Sequence, residues 1–332
     1  MKQRIILFGL ILVGTVTFAQ SPVEKGLNTI NRSSAEATIG FLASDELQGR
    51  AAGFHGSYVS SEYIASILQW MGIQPLNESY FQPFDAYRKE RQKKGRLEVH
   101  PDSVAKLKQE VHQKLSMRNV LAMIPGKNMK EYVIVGAHFD HLGIDPALDG
   151  DQIYNGADDN ASGVSAVLQI ARAFLASRQQ TERNVIFAFW DGEEKGLLGS
   201  KYFVQTCPFV SQIKGYLNFD MIGRNNKPEQ PKHVVYFYTA AHPSFGDWLK
   251  KDIKKYGLQL EPDYRAWDNP VGGSDNGTFA KAGIPIIWYH TDGHPDYHQP
   301  SDHADRLNWD KIVEITKASF LNMWKMANEA SW

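Results

Sequence analysis

The stretch NVIFAFWDGEEKG, residues 184–196, decides the fold. Asn184 to Trp190 is a run of β-branched, aromatic and small apolar residues, which reads as a buried strand. It ends on Asp191-Gly192-Glu193-Glu194-Lys195-Gly196, so two adjacent glutamates follow a buried segment directly. Such a pair is expensive to desolvate unless cations or protons compensate it. One glutamate can bind a metal while its neighbour stays free as a base.

The same pattern recurs on either side. Asn119 to Ile124, Tyr132 to Ala137, Gly215 to Phe219, Val234 to Tyr238 and Pro285 to Tyr289 are further short β-branched or aromatic runs. Between them, Val164, Leu168, Ala171 and Leu175 follow helical spacing, as do Phe245 to Tyr256 and Trp309 to Ala327. Ahead of the strands, Ala35 to Leu42 and Tyr58 to Met71 read as helices, the second stopped by Gly72, with a polar loop from Ser44 to Arg50 between them. Strands alternating with helices predict an α/β fold of three layers, α/β/α, around a central mixed, mostly parallel sheet. Sites in such sheets gather at the carboxyl ends of strands. No Pro/Gly/Ser-rich linker marks a boundary, so residues 20–332 are expected to form a single domain. A short polar excursion at about 88–116 carries Arg91, Lys93, Lys94 and Arg96 interleaved with Glu90, Glu98, Asp102 and Glu110, which predicts a solvated hairpin or helical excursion rather than a nucleic-acid patch.

His138, Asp159, Glu194, Asp220 and His298 each lie at or just after the end of an apolar segment. Two imidazoles and three carboxylates are what a pair of zinc ions needs, so the chain reads as a metallohydrolase. In Gly136-Ala137-His138-Phe139-Asp140-His141-Leu142-Gly143, an imidazole can bind zinc while a carboxylate two residues on holds it in place. Asn155-Gly156-Ala157-Asp158-Asp159-Asn160-Ala161-Ser162-Gly163 opens a helix, and a carboxylate there can offer one oxygen to each of two metals about 3.5–4 Å apart. Asp158 fits the helix cap and Asp159 the bridge. Asn218-Phe219-Asp220 is another strand end, and Asp296-Tyr297-His298-Gln299-Pro300-Ser301-Asp302 supplies a second histidine, with His290, His294 and His303 as rival ligands.

Taken in order, these elements resemble the secreted bacterial di-zinc aminopeptidase family, whose relatives include glutamate carboxypeptidase II and glutaminyl cyclases. Phe41-Leu42-Ala43-Ser44-Asp45-Glu46-Leu47-Gln48-Gly49-Arg50 resembles that family's N-terminal signature as well, so the match covers nearly the whole chain after residue 19. The resemblance implies a zinc exopeptidase fold and a metallo-aminopeptidase that hydrolyses N-terminal residues from peptides with a water bridged by two zinc ions. It implies that His138 and Asp220 bind one zinc, Glu194 and His298 the other, and that Asp159 bridges both. Glu193 matches the general base, Asp140 the residue that orients His138, and Tyr297 a phenol that polarises the scissile carbonyl. The peptide bond after Asp159 is expected to be cis. Two features depart from the family pattern: Asn276 in Gly272-Gly273-Ser274-Asp275-Asn276 stands where a histidine is common, and the stretch from about Phe84 to Arg118 is too short for an inserted protease-associated domain.

The rest of the chain bounds this reading. Lys2 and Arg4 precede the apolar run Ile5 to Val13, and Thr17-Phe18-Ala19 places small residues at the cleavage-determining positions, the pattern of a signal peptide over 1–19. The run is too short for a bilayer core of about 30 Å, which needs roughly 20 apolar residues. Export to the periplasm or the medium is expected. Without those residues, 34 basic face 37 acidic side chains, a net of −3, which argues against nucleic acid or an anionic membrane as partner and leaves peptides with a free N-terminus. Cys207 is the only cysteine, so no intramolecular disulfide forms. Two rivals share the fold: a single-zinc acyltransferase of glutaminyl-cyclase type, and a non-catalytic binding module that has lost its ligands. The peptidase-like Gly192-Glu193-Glu194-Lys195-Gly196-Leu197-Leu198-Gly199-Ser200 argues against the first, and the complete ligand set against the second.

Overall fold

The structure, a computed structural model, describes residues 20–90, 96–267 and 272–332. The expected signal segment 1–19, and Arg91, Lys93 and Lys94 of the basic cluster, lie outside the described residues.

Eleven strands are described: β1 (Gln74–Pro75), β2 (Phe81–Lys89), β3 (His112–Ile124), β4 (Asn128–His138), β5 (Gly143–Ile144), β6 (Ile153–Tyr154), β7 (Arg183–Trp190), β8 (Ile213–Phe219), β9 (His233–Thr239), β10 (Glu261–Trp267) and β11 (Ile286–His290). The helices are α1 (Pro22–Leu27), α2 (Arg32–Leu42), α3 (His55–Trp70), α4 (Pro101–Leu107), α5 (Gly163–Ser177), α6 (Leu198–Thr206), α7 (Ser244–Tyr256), α8 (Asn276–Lys281) and α9 (Trp309–Asn328). The main sheet runs β1-β3-β7-β4-β8-β11-β9-β10, with β2 also paired to β3.

Successive side chains of a strand point to opposite faces, and β7 uses both. Val185, Phe187 and Phe189 enter a large core with α2, α3, α5, α7 and α9, while Ile186, Ala188 and Trp190 enter a smaller one closed by Phe203 of α6 and Phe279 of α8. A fully buried side chain of this kind stabilises by about 1.5–3 kcal/mol. β7 therefore holds both helical layers, and the three-layer α/β/α architecture follows.

The sheet is mixed, as expected, but parallel pairing is less extensive than the alternating runs suggested. β7, β4, β8 and β11 pair in parallel, and so do β9 and β10. β1 and β2 are antiparallel to β3, β3 to β7, and β11 to β9. Helical crossovers link the central strands through α5 and α6 and the edge pair β9 and β10 through α7, while β1, β2 and β3 run antiparallel at the other side. Around the polar excursion, β2 and β3 form a long antiparallel ladder from Phe81↔Val120 to Lys89↔His112, and α4 lies between them. The loop at 44–50 is a tight turn over Asp45–Arg50 in which Gln48, Gly49 and Arg50 take positive φ.

Candidate metal centre

All five candidate ligands meet beyond the carboxyl ends of the central parallel strands. His138 is the last residue of β4, Asp220 follows β8 directly, and Glu193 and Glu194 sit three and four residues past β7. His298 lies on the segment after β11, and Asp159 on the turn Ala157–Ser162 that feeds α5. That turn begins at Gly156, whose φ of +59° and closeness to His141 leave no space for a side chain. The Asp159-Asn160 peptide is cis. The Asn160 amide donates to Phe219 O (2.9 Å), and its Oδ1 accepts from Gly163 N (3.1 Å), tying the turn to β8 and α5.

The Asp159 carboxylate divides between two groups. Its Oδ1 lies 3.2 Å from His138 Nε2, which is in turn 3.5 Å from Asp220 Oδ1. Its Oδ2 lies 3.2 Å from His298 Nε2 and 3.8 Å from His141 Nδ1. Glu194 completes the second group, with Oε2 3.2 Å from His298 Nε2 and Oε1 2.8 Å from His141 Nδ1. His141 is the residue that sequence reasoning passed over. Its signal was present in the same eight-residue element as His138, but its partner Glu194 is 53 positions away. Its Nε2 is buried and has no hydrogen-bond partner among the described residues.

The rival histidines are engaged elsewhere. His290 Nδ1 donates to Asp220 O (2.7 Å), His294 Nε2 lies 3.2 Å from Asp158 Oδ2, and His303 Nε2 2.9 Å from Asp151 Oδ2. Asp158 does not cap α5 with its side chain; its Oδ1 accepts from Gly223 N (2.5 Å). Asp140 touches His138 through its main chain, the carbonyl lying 3.2 Å from Nδ1 and the carboxylate 3.8 Å. The Asp140 carboxylate instead accepts from Glu193 N (2.9 Å) and Glu194 N (3.3 Å), because the turn after β7 points its amides at it. Cys207 is half-buried, and burial raises its thiol to about 11, which favours the thiol over the nucleophilic thiolate.

Electrostatics set the roles apart. Burial, reinforced by Asp220, Asp275 and Glu194 and opposed by His138, pushes the Glu193 carboxyl well above the usual carboxylate range. Asp159 goes the other way, since His141, His138 and His298 outweigh its burial and hold it well below that range. Burial opposes protonation of His298, but Asp159 and Glu194 win and push it up to about 10. Tyr297 stacks on His298 with ring centroids 3.9 Å apart, and burial and the site carboxylates keep its phenol protonated. A cavity of about 200 Å³ opens over the site, lined by Asp159, Glu193, Asp220, Trp288, Tyr297 and His298 among others. The donors of His138, Asp159 and Asp220 converge, as do those of His141, Asp159 and Glu194. Imidazole and carboxylate are donors that zinc takes, and cations are one means, beside protons, of compensating buried carboxylates crowded this closely. The residues therefore fit zinc.

The sequence profile of Peptidase family M28 matches residues 119–322. The chain belongs to that family. Within M28, it is 33% identical over 170 residues to leupeptin-inactivating enzyme 1 of Streptomyces exfoliatus, covering 51% of this chain and 34% of that protein. It is 38% identical over 155 residues to an aminopeptidase of Pseudomonas aeruginosa (46% and 24% covered) and 29% identical over 224 residues to a probable leucine aminopeptidase of Arthroderma otae (63% and 57%). It thus spans from about a quarter to three-fifths of the length of these curated relatives. The M28 fold is shared with the crystal structure of Legionella pneumophila LapA aminopeptidase (TM-score 0.69, 22% identity, 100% of this chain and 81% of that one). It is also shared with Porphyromonas gingivalis glutaminyl cyclase (TM-score 0.64, 16% identity, 90% and 99%).

Proposed function

We propose that this M28 chain is a zinc-dependent aminopeptidase with two metal sites. The observation that carries the reading is the Asp159 carboxylate, which turns one oxygen to His138 and Asp220 and the other to His298, His141 and Glu194. A single-zinc acyltransferase needs one donor set, and a binding module needs none. His138 and Asp220 would hold one ion, Glu194 and His298 the other, Asp159 would bridge, and His141 stands close enough to join the second group. Zinc bound there supplies Lewis acidity, polarising a carbonyl and making water nucleophilic near pH 7.

The protein's own groups do the rest. Glu193 lines the cavity and belongs to neither donor group, and burial makes its carboxylate more basic than an ordinary one. It takes a proton from the attacking water and returns it to the leaving amine. Tyr297, protonated and facing the same cavity, donates to the carbonyl oxygen as it gains charge. Asp140 fixes both glutamate amides and so keeps Glu193 and Glu194 in distinct positions. A substrate's free α-ammonium would face the acidic cavity wall formed by Asp159, Glu193 and Asp220, a favourable pairing that an acetylated amine cannot make.

A panel of aminoacyl chromogenic substrates, each with and without N-acetylation, tests the reading before and after chelation. Cleavage that needs both the free amine and the metal is expected; equal cleavage of acetylated substrates would sink it. The pattern of residues 1–19 supports export, which N-terminal sequencing of the protein made by its own cell checks: a mature chain starting near Gln20 is expected. Among the described residues, no helix is long and apolar enough to cross a membrane.

A further inference from the structure

The turn at Asp45–Arg50 resembles a family signature, yet none of its residues enters the two donor groups. Arg50 is fully buried, and all five of its guanidinium contacts are main-chain carbonyls. Its Nε donates to Phe139 O (2.8 Å), the residue between His138 and Asp140. Nη1 donates to Leu42 O (2.5 Å) and Asn155 O (2.6 Å), and Nη2 to Gly156 O (2.9 Å) and Asp159 O (3.4 Å). The carbonyl of Arg50 in turn accepts from His141 N (3.1 Å). Close approach makes this possible, since a Cβ on Gly49 would lie 2.2 Å from Gly143 O.

The opposite side of the same segment meets Asp302, also fully buried. Its Oδ2 accepts from Asp158 N and Asp159 N, each at 3.0 Å, and its carbonyl accepts from Ala157 N (3.0 Å). Within the segment 155–159, the carbonyls of Asn155, Gly156 and Asp159 therefore meet a guanidinium while the amides of Asp158 and Asp159 meet a carboxylate. Asp302 lies four residues after His298, so it links that ligand's segment to Asp159 as Arg50 links His138's.

We propose that Arg50 and Asp302 are positioning residues for the metal centre, a pair of opposed clamps that set where the Asp159 carboxylate stands between its two donor groups. This rests on the two-metal reading above. A guanidinium suits the task because its rigid fork reaches several acceptors at once, whereas a lysine keeps the charge but supplies a point donor. The arrangement differs from an ordinary buried arginine. Arg183 also donates to main-chain carbonyls, of Met326, Glu329 and Ala330, but it joins β7 to the end of α9, remote from any ligand.

Arg50→Lys, Asp302→Asn and, as a control, Arg183→Lys would be compared in the full-length protein. The readouts are zinc affinity by chelator competition, the visible spectrum of the cobalt-substituted protein, and urea unfolding of the metal-free form. Arg50→Lys and Asp302→Asn should weaken zinc binding by about 10–100-fold, as changes behind metal ligands do, and shift the cobalt spectrum. Arg183→Lys should lower the unfolding midpoint and leave both metal readouts unchanged. If Arg50→Lys fails to fold, Asp302→Asn decides by the same measurements. Variants that lose stability as Arg183→Lys does, with zinc affinity and cobalt spectrum unmoved, would overturn the clamp. Wild-type protein that binds no zinc would instead overturn the functional reading on which it rests.

Discussion

Glu193 and Glu194 are neighbours with opposite duties, and exchanging each for glutamine separates them. Both main-chain amides are held by the Asp140 carboxylate, at 2.9 and 3.3 Å, so neither substitution releases the turn. Glu194 contacts His141 at 2.8 Å and His298 at 3.2 Å, whereas Glu193 belongs to neither converging donor group and faces the cavity. Glu193→Gln keeps shape and hydrogen bonding but removes the one cavity carboxylate, among the described residues, that belongs to neither donor group. Turnover should fall by ~10²–10⁴-fold, which is ~2.7–5.5 kcal/mol in the barrier, with zinc stoichiometry unchanged. Glu194→Gln takes a charged donor out of the second group, so about one zinc per chain should be lost. Metal content by plasma mass spectrometry and kcat on one aminoacyl substrate, measured side by side, decide it. Metal loss in Glu193→Gln with retention in Glu194→Gln would reverse the assignment.

Asp159→Ala should empty both sites, while Asp140→Ala should weaken zinc by about 10–100-fold, as measured by metal content after dialysis; full occupancy in Asp159→Ala would make Asp158 the bridge. His141→Ala should weaken the ion held by Glu194 more than the one held by Asp220, which stepwise chelator titration resolves. Acid should loosen the segment carrying His298 through Asp296. Burial pushes its carboxyl up, but Ser301, Arg224 and Arg306 outweigh this and hold it at about 2, below its ordinary 3.8. A folded value below the unfolded one stabilises above the unfolded pKa and is lost as pH falls through the folded one. With Arg306 half exposed and solvent screening the pairs, this corresponds to on the order of 1–2 kcal/mol. Urea unfolding should therefore show Asp296→Asn less stable by about that much at pH 7, with the gap closing toward pH 2; a gap independent of pH would refute the ion pairs as its source.

What could be read in the sequence divides along a physical line. Carboxylates at the ends of apolar runs stand out because burial makes them costly unless something compensates them, and the candidates Asp159, Glu194 and Asp220 stand out in this way, whereas the choice of His298 over its rivals and the role of Glu193 rest on the family resemblance. Strands were visible where both faces are buried. β10, with the sequence EPDYRAW, was not, because it lies at the sheet edge and is exposed at both ends. β2 escaped because its partner β3 begins inside the polar excursion, where pairing rather than hydrophobicity makes the strand. His141 was hidden by its neighbour, since one histidine after a strand satisfies the pattern and a second adds nothing until the fold brings Glu194 to it.

Arg50 is the extreme case. Its acceptors are carbonyls of Leu42, Phe139, Asn155, Gly156 and Asp159, and every residue carries a carbonyl, so no choice of partner side chain betrays the contact. A buried guanidinium with carboxylate partners can be answered by a compensating change in those partners, but main-chain acceptors cannot mutate away. Substitution at Arg50 therefore leaves buried carbonyls unsatisfied whatever happens elsewhere, each at a cost of roughly 1–3 kcal/mol. The place of Arg50 in the stretch 41–50 is legible as a motif, but its contacts are not, because they are made with main-chain groups.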